Sequence, residues 1–147
     1  MTEPEALILR DATVADIDVT LEFWRRSGAD PSATDNRGSL AAAIEHPTSA
    51  LLMAYRATTL IATAMVAWDG WRGTVYRIVV LPASRRAGVA SEMVREAERR
   101  LSVQGCRRIS ILVLRDEAPA QAFWRAAGYR HDDRVERFVK PLDPPGR

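Results

Sequence analysis

Apolar and polar positions alternate along the chain with two different periods, which predict helices and strands. Apolar side chains recur every three or four residues at 17–24 and 89–101, the spacing of one helix face. Nearly continuous apolar runs at 49–57, 60–68 and 74–80 instead indicate strands buried in a sheet. The polar pair Thr58 and Thr59 and the stretch DGWRG separate these runs, so we expect three consecutive antiparallel strands.

The rest of the pattern completes the element order. Strands are predicted at 6–13, 107–114, 129–133 and 135–142, and helices at 39–46 and 118–127. The order is β-α-α-β-β-β-α-β-α-β-β, without an internal repeat or a linker. We therefore predict one α+β domain over residues 1–147, with a mixed, mostly antiparallel sheet of about seven strands and about four helices.

Composition narrows the class of protein. The 147 residues are 47% hydrophobic and 27% charged, as in a soluble globular protein. The start of the chain lacks the pattern of a signal peptide, and no apolar run reaches membrane-spanning length, so we expect a cytoplasmic protein that binds no membrane. One cysteine and two histidines are too few for a convincing metal site.

The chain is slightly basic, and its positive and negative residues are interspersed. The formal net charge is +2, and Lys140 is the single lysine among 21 cationic residues. Arginines alternate with acidic residues, and no block of five like charges occurs. This pattern argues against a nucleic-acid-binding domain, although the basic balance favours an anionic ligand.

The stretch VVLPASRRAGVASEMV, residues 79–94, combines features that suit an anion. A helix N-terminus leaves about four backbone N–H groups without internal partners and carries partial positive charge. Small residues around Gly88 let a phosphate approach the backbone, and Arg85 and Arg86 add positive charge. The residues alone leave a plain strand-to-helix turn with solvated arginines about equally open, and no P-loop sequence is present.

Two motifs in this chain resemble those of the GNAT superfamily, the acyl-CoA-dependent N-acyltransferases. The acetyl-CoA motif V-x-P followed by [QR]-x-x-G-x-[GA] is matched by Val80, Pro82, Arg85, Gly88 and Ala90. The second signature, A-x-x-F-Y-x-x-x-G-[FY], is matched by Ala120, Phe123, Gly128 and Tyr129, with Trp124 at the position of its first tyrosine. The hairpin WDGWRGTVY further resembles small stand-alone bacterial members whose acceptor is unassigned. The resemblance covers nearly the whole chain.

The resemblance implies a fold and a co-substrate. In the GNAT fold the sheet splays between its fourth and fifth strands, and the pantetheine arm of acetyl-CoA enters there, bonding to the backbone at Val79 and Val80. The following loop supplies amides to the diphosphate. The implied cofactor-binding residues of that loop are Arg85, Arg86, Ala87, Gly88, Val89, Ala90 and Ser91. Trp124 is implied to lie beside the thioester.

The chain departs from the family pattern at two catalytic positions. Trp124 replaces the tyrosine that protonates the leaving sulfur in many members, and an indole N–H is no acid near neutral pH. Thr74 occupies the position of the glutamate base found in histone-type members. The candidate catalytic groups are therefore the Val80 N–H, which would polarise the thioester carbonyl, Trp124 as a channel wall, and Tyr76, for which a core role is equally open.

The acceptor side is expected at the first two helices and at the turns WDGWRG and YRHDDRVER. Trp24, Asp69 and Trp71 are the candidate substrate residues, although core packing also suits Trp24. Asp35 and Glu22 could attract a cationic amine as Asp69 could, and a solvated charge is the alternative for each.

The preferred functional prediction is an N-acetyltransferase that moves an acetyl group from acetyl-CoA to a primary amine of a small molecule or protein, by direct attack in a ternary complex. The alternative is an acyl-CoA-binding module without catalysis, which Trp124 and Thr74 would support. No metal and no nucleic acid is expected, and a homodimer is one expected assembly.

Overall fold

A computed structural model describes residues 5–145, so the predicted domain of residues 1–147 extends beyond the described residues at both ends. Its helices and strands are β1 (Leu7–Asp11), α1 (Ile17–Arg26), α2 (Arg37–Glu45), β2 (Ser49–Arg56), β3 (Thr59–Trp68), β4 (Gly73–Val80), α3 (Val89–Gln104), β5 (Ile109–Ile111) and α4 (Ala118–Ala126). The chain divides into two compact units, Met1–Leu112 and Val113–Arg147.

The first unit contains a mixed sheet in the order β1-β2-β3-β4-β5. The first four strands are antiparallel, and β5 runs parallel to β4. The β4–β5 ladder extends only from Gly73 opposite Ile109 to Val75 opposite Ile111. Since β4 continues to Val80, no strand among residues 5–145 lies beside the second half of β4 on that edge, which leaves a gap between β4 and β5.

Each face of the sheet is covered by helices. On one face α3 packs Met93 and Leu101 against Leu52, Ile61 and Val75. On the other face, α1 and α2 contribute Phe23, Trp24 and Leu40, which pack against Leu51, Met53 and Val79. Burial on both faces explains why β2 and β3 are continuous apolar runs and do not alternate with polar residues.

A β-bulge interrupts β4 in its middle. Val79 pairs with Thr63 and Tyr76 pairs with Met65, so Arg77 and Ile78 together lie opposite the single residue Ala64. Arg77 has a φ of +51°, in the left-handed region that non-glycine residues seldom adopt.

The bulge changes which side chains share a face. Val75 and Ile78 pack on the α3 face, and Val79 packs on the α1–α2 face. Tyr76 and Arg77, although consecutive, both point to the α1–α2 face, because Tyr76 lies beside α2 and Arg77 contacts Trp24. In a regular strand consecutive side chains would point to opposite faces.

Two predicted boundaries move by one or two residues. Helix α2 begins at Arg37, because the Oδ1 atom of Asn36 accepts a hydrogen bond from the Ser39 N–H at 2.9 Å and caps the helix. The β2–β3 hairpin turns at Ala57 and Thr58, one residue earlier than predicted, since Arg56 pairs with Thr59.

The prediction of about seven strands is wrong for the described residues, which form five. The segment predicted as a buried strand at 107–114 is a strand only at Ile109–Ile111, and Leu112 and Leu114 are exposed. The predicted closing strands at 129–133 and 135–142 form no strand, and Phe138 is 93% exposed. A strand needs a partner for its backbone groups, and an apolar run alone does not supply one.

Among the described residues, the second unit contains one helix, α4, and no strand. Trp124 of α4 is half-buried and packs edge-to-face on Phe123 and Tyr129, with ring centroids 5.1 and 4.9 Å away. None of the helices within residues 5–145 combines the length and apolar content that a membrane crossing needs.

Candidate active site

The connection from β4 to α3 is a series of tight turns. A short 3-10 helix, Pro82–Ser84, follows the strand, and Arg86 and Gly88 then take positive φ values of 65° and 79°. Gly88 is the residue before the first turn of α3, and its side-chain-free backbone favours this left-handed conformation. The turns direct the start of α3 back toward the end of β4.

The first amides of α3 are free to bind a ligand. The Glu92 N–H donates to the Gly88 oxygen at 3.1 Å, but within residues 5–145 the N–H groups of Val89, Ala90 and Ser91 have no protein acceptor. A Cβ atom placed on Gly88 would meet no atom within 4 Å, so there is open space beside these amides. Geometry and partial charge therefore suit an anionic oxygen.

The two arginines before Gly88 differ in their contacts. Arg85 turns back, and its guanidinium donates to the backbone oxygens of Val80 at 3.3 Å and Ser27 at 3.2 Å. Arg86 is exposed and makes no hydrogen bond or ion pair with any residue in the described range. Arg85 therefore ties α1 to β4, whereas the charge of Arg86 remains available to a ligand.

The gap between β4 and β5 exposes the backbone of Val80. The Leu81 N–H donates to the Ile61 oxygen at 2.8 Å, and the antiparallel alternation then turns the backbone groups of Val79 toward Thr63 in β3. The N–H of Val80 consequently points away from β3, into the gap. Of the two predicted backbone contacts, Val80 has the orientation to bond a group lying in the gap.

A cavity of about 640 Å³ opens at the other end of β4, on the α2 side of the sheet. Its lining combines apolar carbon with a few polar groups and consists of Ala42, Ala43, His46, Thr48, Ser49, Ala67, Trp68, Asp69, Arg72, Gly73, Thr74, Tyr76, Ser110 and Leu112. Tyr76 is 45% exposed and is therefore not a core residue, whereas its role in the chemistry stays a prediction.

The three acids considered for amine binding all have partners within the protein. Asp35 binds Arg77 through both oxygens, and Glu22 binds Arg25, whose hydrogen bonds lower the pKa of Glu22. Asp69 lines the cavity, and its Oδ1 accepts from the N–H groups of Arg72 and Trp71 at 2.7 Å, which lowers its pKa. Asp69 alone of the three is at the cavity.

Neither of the two tryptophans predicted to contact the acceptor, Trp24 and Trp71, lines this cavity. Trp24 is only 4% exposed, and its indole N–H donates to the Thr63 hydroxyl at 2.8 Å, so it belongs to the core. Trp71 is 73% exposed at the β3–β4 turn, where the Arg72 guanidinium lies 4.3 Å from its ring centre. Core packing, the alternative considered for Trp24, is the role that its burial supports.

Sequence reasoning did not single out His46 or Arg77, which the structure places at the cavity and at the β4 bulge. The sequence suggests His46 only as a possible metal ligand, but His46 lines the cavity, and its Nδ1 accepts a hydrogen bond from the Thr48 N–H at 3.2 Å. No group of three or more potential ligands from His, Cys, Asp and Glu occurs in the described part of the chain.

Comparison with known proteins places the chain in a family. A model of the acetyltransferase (GNAT) family matches residues 16–129, which run through both units. A solved aminoglycoside 6'-N-acetyltransferase from Acinetobacter haemolyticus is 24% identical, with 92% of this chain and 99% of that chain covered and a TM-score of 0.76. A predicted acetyltransferase from Clostridium acetobutylicum, solved with acetyl-CoA, is 16% identical, with coverages of 91% and 96% and a TM-score of 0.75.

A third solved structure, an aminoglycoside N-acetyltransferase in complex with CoA, is 17% identical, with coverages of 97% and 99% and a TM-score of 0.77. At these identities the structures show a shared fold, whereas the family model covers well over half of the chain. The chain therefore belongs to the acetyltransferase (GNAT) family, whose co-substrate is acetyl-CoA.

Proposed function

We propose that this protein transfers the acetyl group of acetyl-CoA to a primary amine, by direct attack of the amine on the thioester, and that its two units act as one domain. The observation that carries the proposal is the arrangement along β4. The Val80 N–H faces the gap at one end of the strand, and Tyr76 lines a cavity at the other. One strand thus presents a hydrogen-bond donor and a residue that lines a cavity.

The residues at the start of α3 fit the diphosphate of acetyl-CoA. Within residues 5–145 the amides of Val89, Ala90 and Ser91 have no protein acceptor, and a Cβ atom on Gly88 would meet no atom within 4 Å. Arg86 would supply positive charge to the diphosphate. Arg85 is held by two backbone carbonyl oxygens and would contribute less directly. The edge of β4 beyond Val75 would take the pantetheine arm as an added strand.

The chemistry needs a neutral amine, a stabilised carbonyl oxygen and a proton for the departing thiolate. The Val80 N–H is the proposed donor to the carbonyl oxygen. Tyr76 carries the phenol at the cavity end of β4, and we propose that it, in place of Trp124, supplies the proton or orients a water that does. Holding amine and thioester together contributes up to about 7–11 kcal/mol to the barrier reduction.

The cavity suits an amine with an apolar body better than a polycation. Aminoglycosides, the substrates named for two of the structural neighbours, carry several positive charges. Asp35 and Glu22 are neutralised by arginines, and the cavity lining contains the carboxylate of Asp69 together with the cation of Arg72. We therefore propose a small monoamine, or a single amine on a protein, as the acceptor.

Acyl-CoA binding without catalysis is the second candidate, because Thr74 lines the cavity where a carboxylate base would be expected and Trp124 replaces the acidic tyrosine. Release of free CoA thiol in the presence of a panel of amines separates the two functions. The panel should contain aromatic and aliphatic monoamines, aminoglycosides and lysine peptides. Binding of acetyl-CoA without amine-dependent thiol release would contradict transfer and support the binding module.

The cofactor site is tested in the same assay with Gly88→Glu, which would place bulk and negative charge before the free amides. Gly105→Glu is the matched control, because Gly105 caps the other end of α3, also has positive φ and also has open space around it. We expect Gly88→Glu to abolish acetyl-CoA binding measured by calorimetry, and Gly105→Glu to retain it. Equal affinities in two folded variants would refute the assigned site.

A further inference from the structure

Arg77 holds an unusual backbone conformation and an unusual number of contacts. Its guanidinium donates to both carboxylate oxygens of Asp35, at 2.7 and 2.6 Å, and to the backbone oxygen of Asp30 at 2.6 Å. It also lies 5.2 Å from the ring centre of Trp24. The side chains of Arg77 and Asp35 are only 19% and 22% exposed, in contrast to the largely exposed pairs elsewhere on α1 and α2.

These contacts converge on the bulge. The Arg77 backbone oxygen accepts from the Thr63 hydroxyl at 3.3 Å, and that hydroxyl accepts from the Trp24 indole at 2.8 Å. The loop between α1 and α2, which carries Asp30 and Asp35, is thereby joined to the middle of β4. A left-handed arginine persists in a strand only where surrounding contacts determine it, and here they include a bidentate ion pair.

We propose that the Asp35–Arg77 ion pair is a positioning device, which holds the β4 bulge and thereby keeps Tyr76 in the acceptor cavity. The bulge is what allows Tyr76 and Arg77 to share the α1–α2 face. If β4 became regular, consecutive side chains would alternate, and Tyr76 and Arg77 could not both remain there. Asp35 therefore acts through Arg77 and the backbone, and not by binding the amine.

The kinetic test of this inference rests on the proposed acetyl transfer. A second test, by hydrogen exchange, does not require activity. The variant is Asp35→Asn, which keeps the shape of the side chain and an oxygen for the Ser32 N–H but removes the charge opposite Arg77. Asp18→Asn is the matched control, because Asp18 pairs with Arg37 on the same side of the sheet and both side chains are mostly exposed.

The kinetic test is a double-mutant cycle between Asp35 and Tyr76. We expect Asp35→Asn to lower kcat by about 10- to 100-fold, because a misplaced reacting group, here Tyr76, costs about this much in rate. The affinity for acetyl-CoA should change less than about twofold. Tyr76→Phe should then cost little more in the Asp35→Asn background, since the tyrosine is already misplaced. Additive losses would show that Asp35 has only a structural role and would overturn the proposal.

The activity-independent test is amide hydrogen exchange measured by NMR. Loss of the ion pair should speed exchange of the Val79 N–H, next to the bulge, while the amides in the β1–β2 ladder keep their rates. Asp18→Asn should change neither set. Unchanged exchange at Val79 in Asp35→Asn would overturn the proposal, even if no amine proves to be a substrate. Faster exchange without any amine-dependent activity would uphold the clamp and reject acetyl transfer.

Discussion

At the scale of single residues, neighbouring arginines with the same side chain have different tasks. Arg86 has no protein partner in the described range, whereas Arg85 donates to two backbone oxygens. We predict that Arg86→Ala weakens acetyl-CoA binding by about 10-fold or more and flattens its dependence on salt, because a charge-assisted contact and its screening are both lost. Titrations at several salt concentrations measure both quantities.

Arg85→Ala is the control for this prediction. It should keep most of the salt dependence of acetyl-CoA binding and instead lower the free energy of unfolding, because it removes the link between Ser27 and Val80. Equal salt slopes in the wild-type protein and Arg86→Ala would contradict a role for Arg86 at the diphosphate.

Trp124 is the residue whose chemistry differs most from the family motif. Its ring packs on Phe123 and Tyr129, which supports a role in shaping its surroundings. We predict that Trp124→Tyr raises turnover at saturating acetyl-CoA by up to about 10²-fold, because a phenol at this position would add a second acid for the departing thiolate to the one proposed at Tyr76.

Trp124→Phe separates packing from chemistry at this position, because phenylalanine keeps the aromatic contacts without the N–H. It should bind acetyl-CoA almost normally and retain turnover, whereas Trp124→Ala should lose affinity. A phenylalanine variant that binds normally but is inactive would show that the indole N–H takes part in the reaction.

At the scale of elements, α3 is held by a cluster of charges as well as by its apolar face. Glu96 accepts hydrogen bonds from Arg99 and Arg100, and Arg100 also reaches Asp11 of β1. These bonds, that of Arg99 foremost, lower the pKa of Glu96 to about 2 from an ordinary value of 4.5. The charged form of Glu96 is thus favoured by folding.

A carboxylate whose pKa is lower in the folded state adds stability above its unfolded pKa, and this stability disappears as the pH falls through the folded pKa. We predict that Glu96→Gln is less stable than the wild-type protein at pH 7, and that the difference shrinks between about pH 5 and pH 2. Urea unfolding across this range measures it. A difference that stays constant with pH would show that the charge of Glu96 is not its source.

At the scale of the whole molecule, one buried hydrogen bond joins the helical layer to the sheet. The Trp24 indole of α1 donates to Thr63 of β3, and Thr63 is fully buried. Thr63→Val would leave the indole N–H buried without an acceptor, so we predict a loss of about 1–3 kcal/mol in the free energy of unfolding.

Thr20→Val makes the same chemical change in helix α1, with the opposite expectation. Thr20 is also fully buried, but its hydroxyl has no hydrogen-bond partner among the described residues. Replacing it by a methyl group should leave stability unchanged or increase it, since an unpaired polar group is removed. Equal losses in Thr63→Val and Thr20→Val, measured by urea unfolding, would show that steric change dominates both.

The sequence by itself determined the features that depend on neighbouring residues. The helical period predicted α1 and α3, the apolar runs predicted β2, β3 and β4, and the small residues around Gly88 predicted an anion site at a helix start. The predicted elements are confirmed because periodicity is a local property, which the chain expresses before distant segments meet. The anion site stays a prediction, which rests on glycine conformation and the free amides at a helix start.

Only the tertiary structure decided which distant groups meet. Strand β4 pairs with β3 up to Val80 but with β5 only as far as Val75, and this difference opens the gap. The bulge turns the side chains of Tyr76 and Arg77 to the same face of the sheet. Asp35, which could have attracted an amine, binds Arg77, and the apolar segment at 135–142 has no strand partner in the described residues. Register and ion pairing depend on backbone and side-chain groups far apart in the sequence, so no local pattern specifies them.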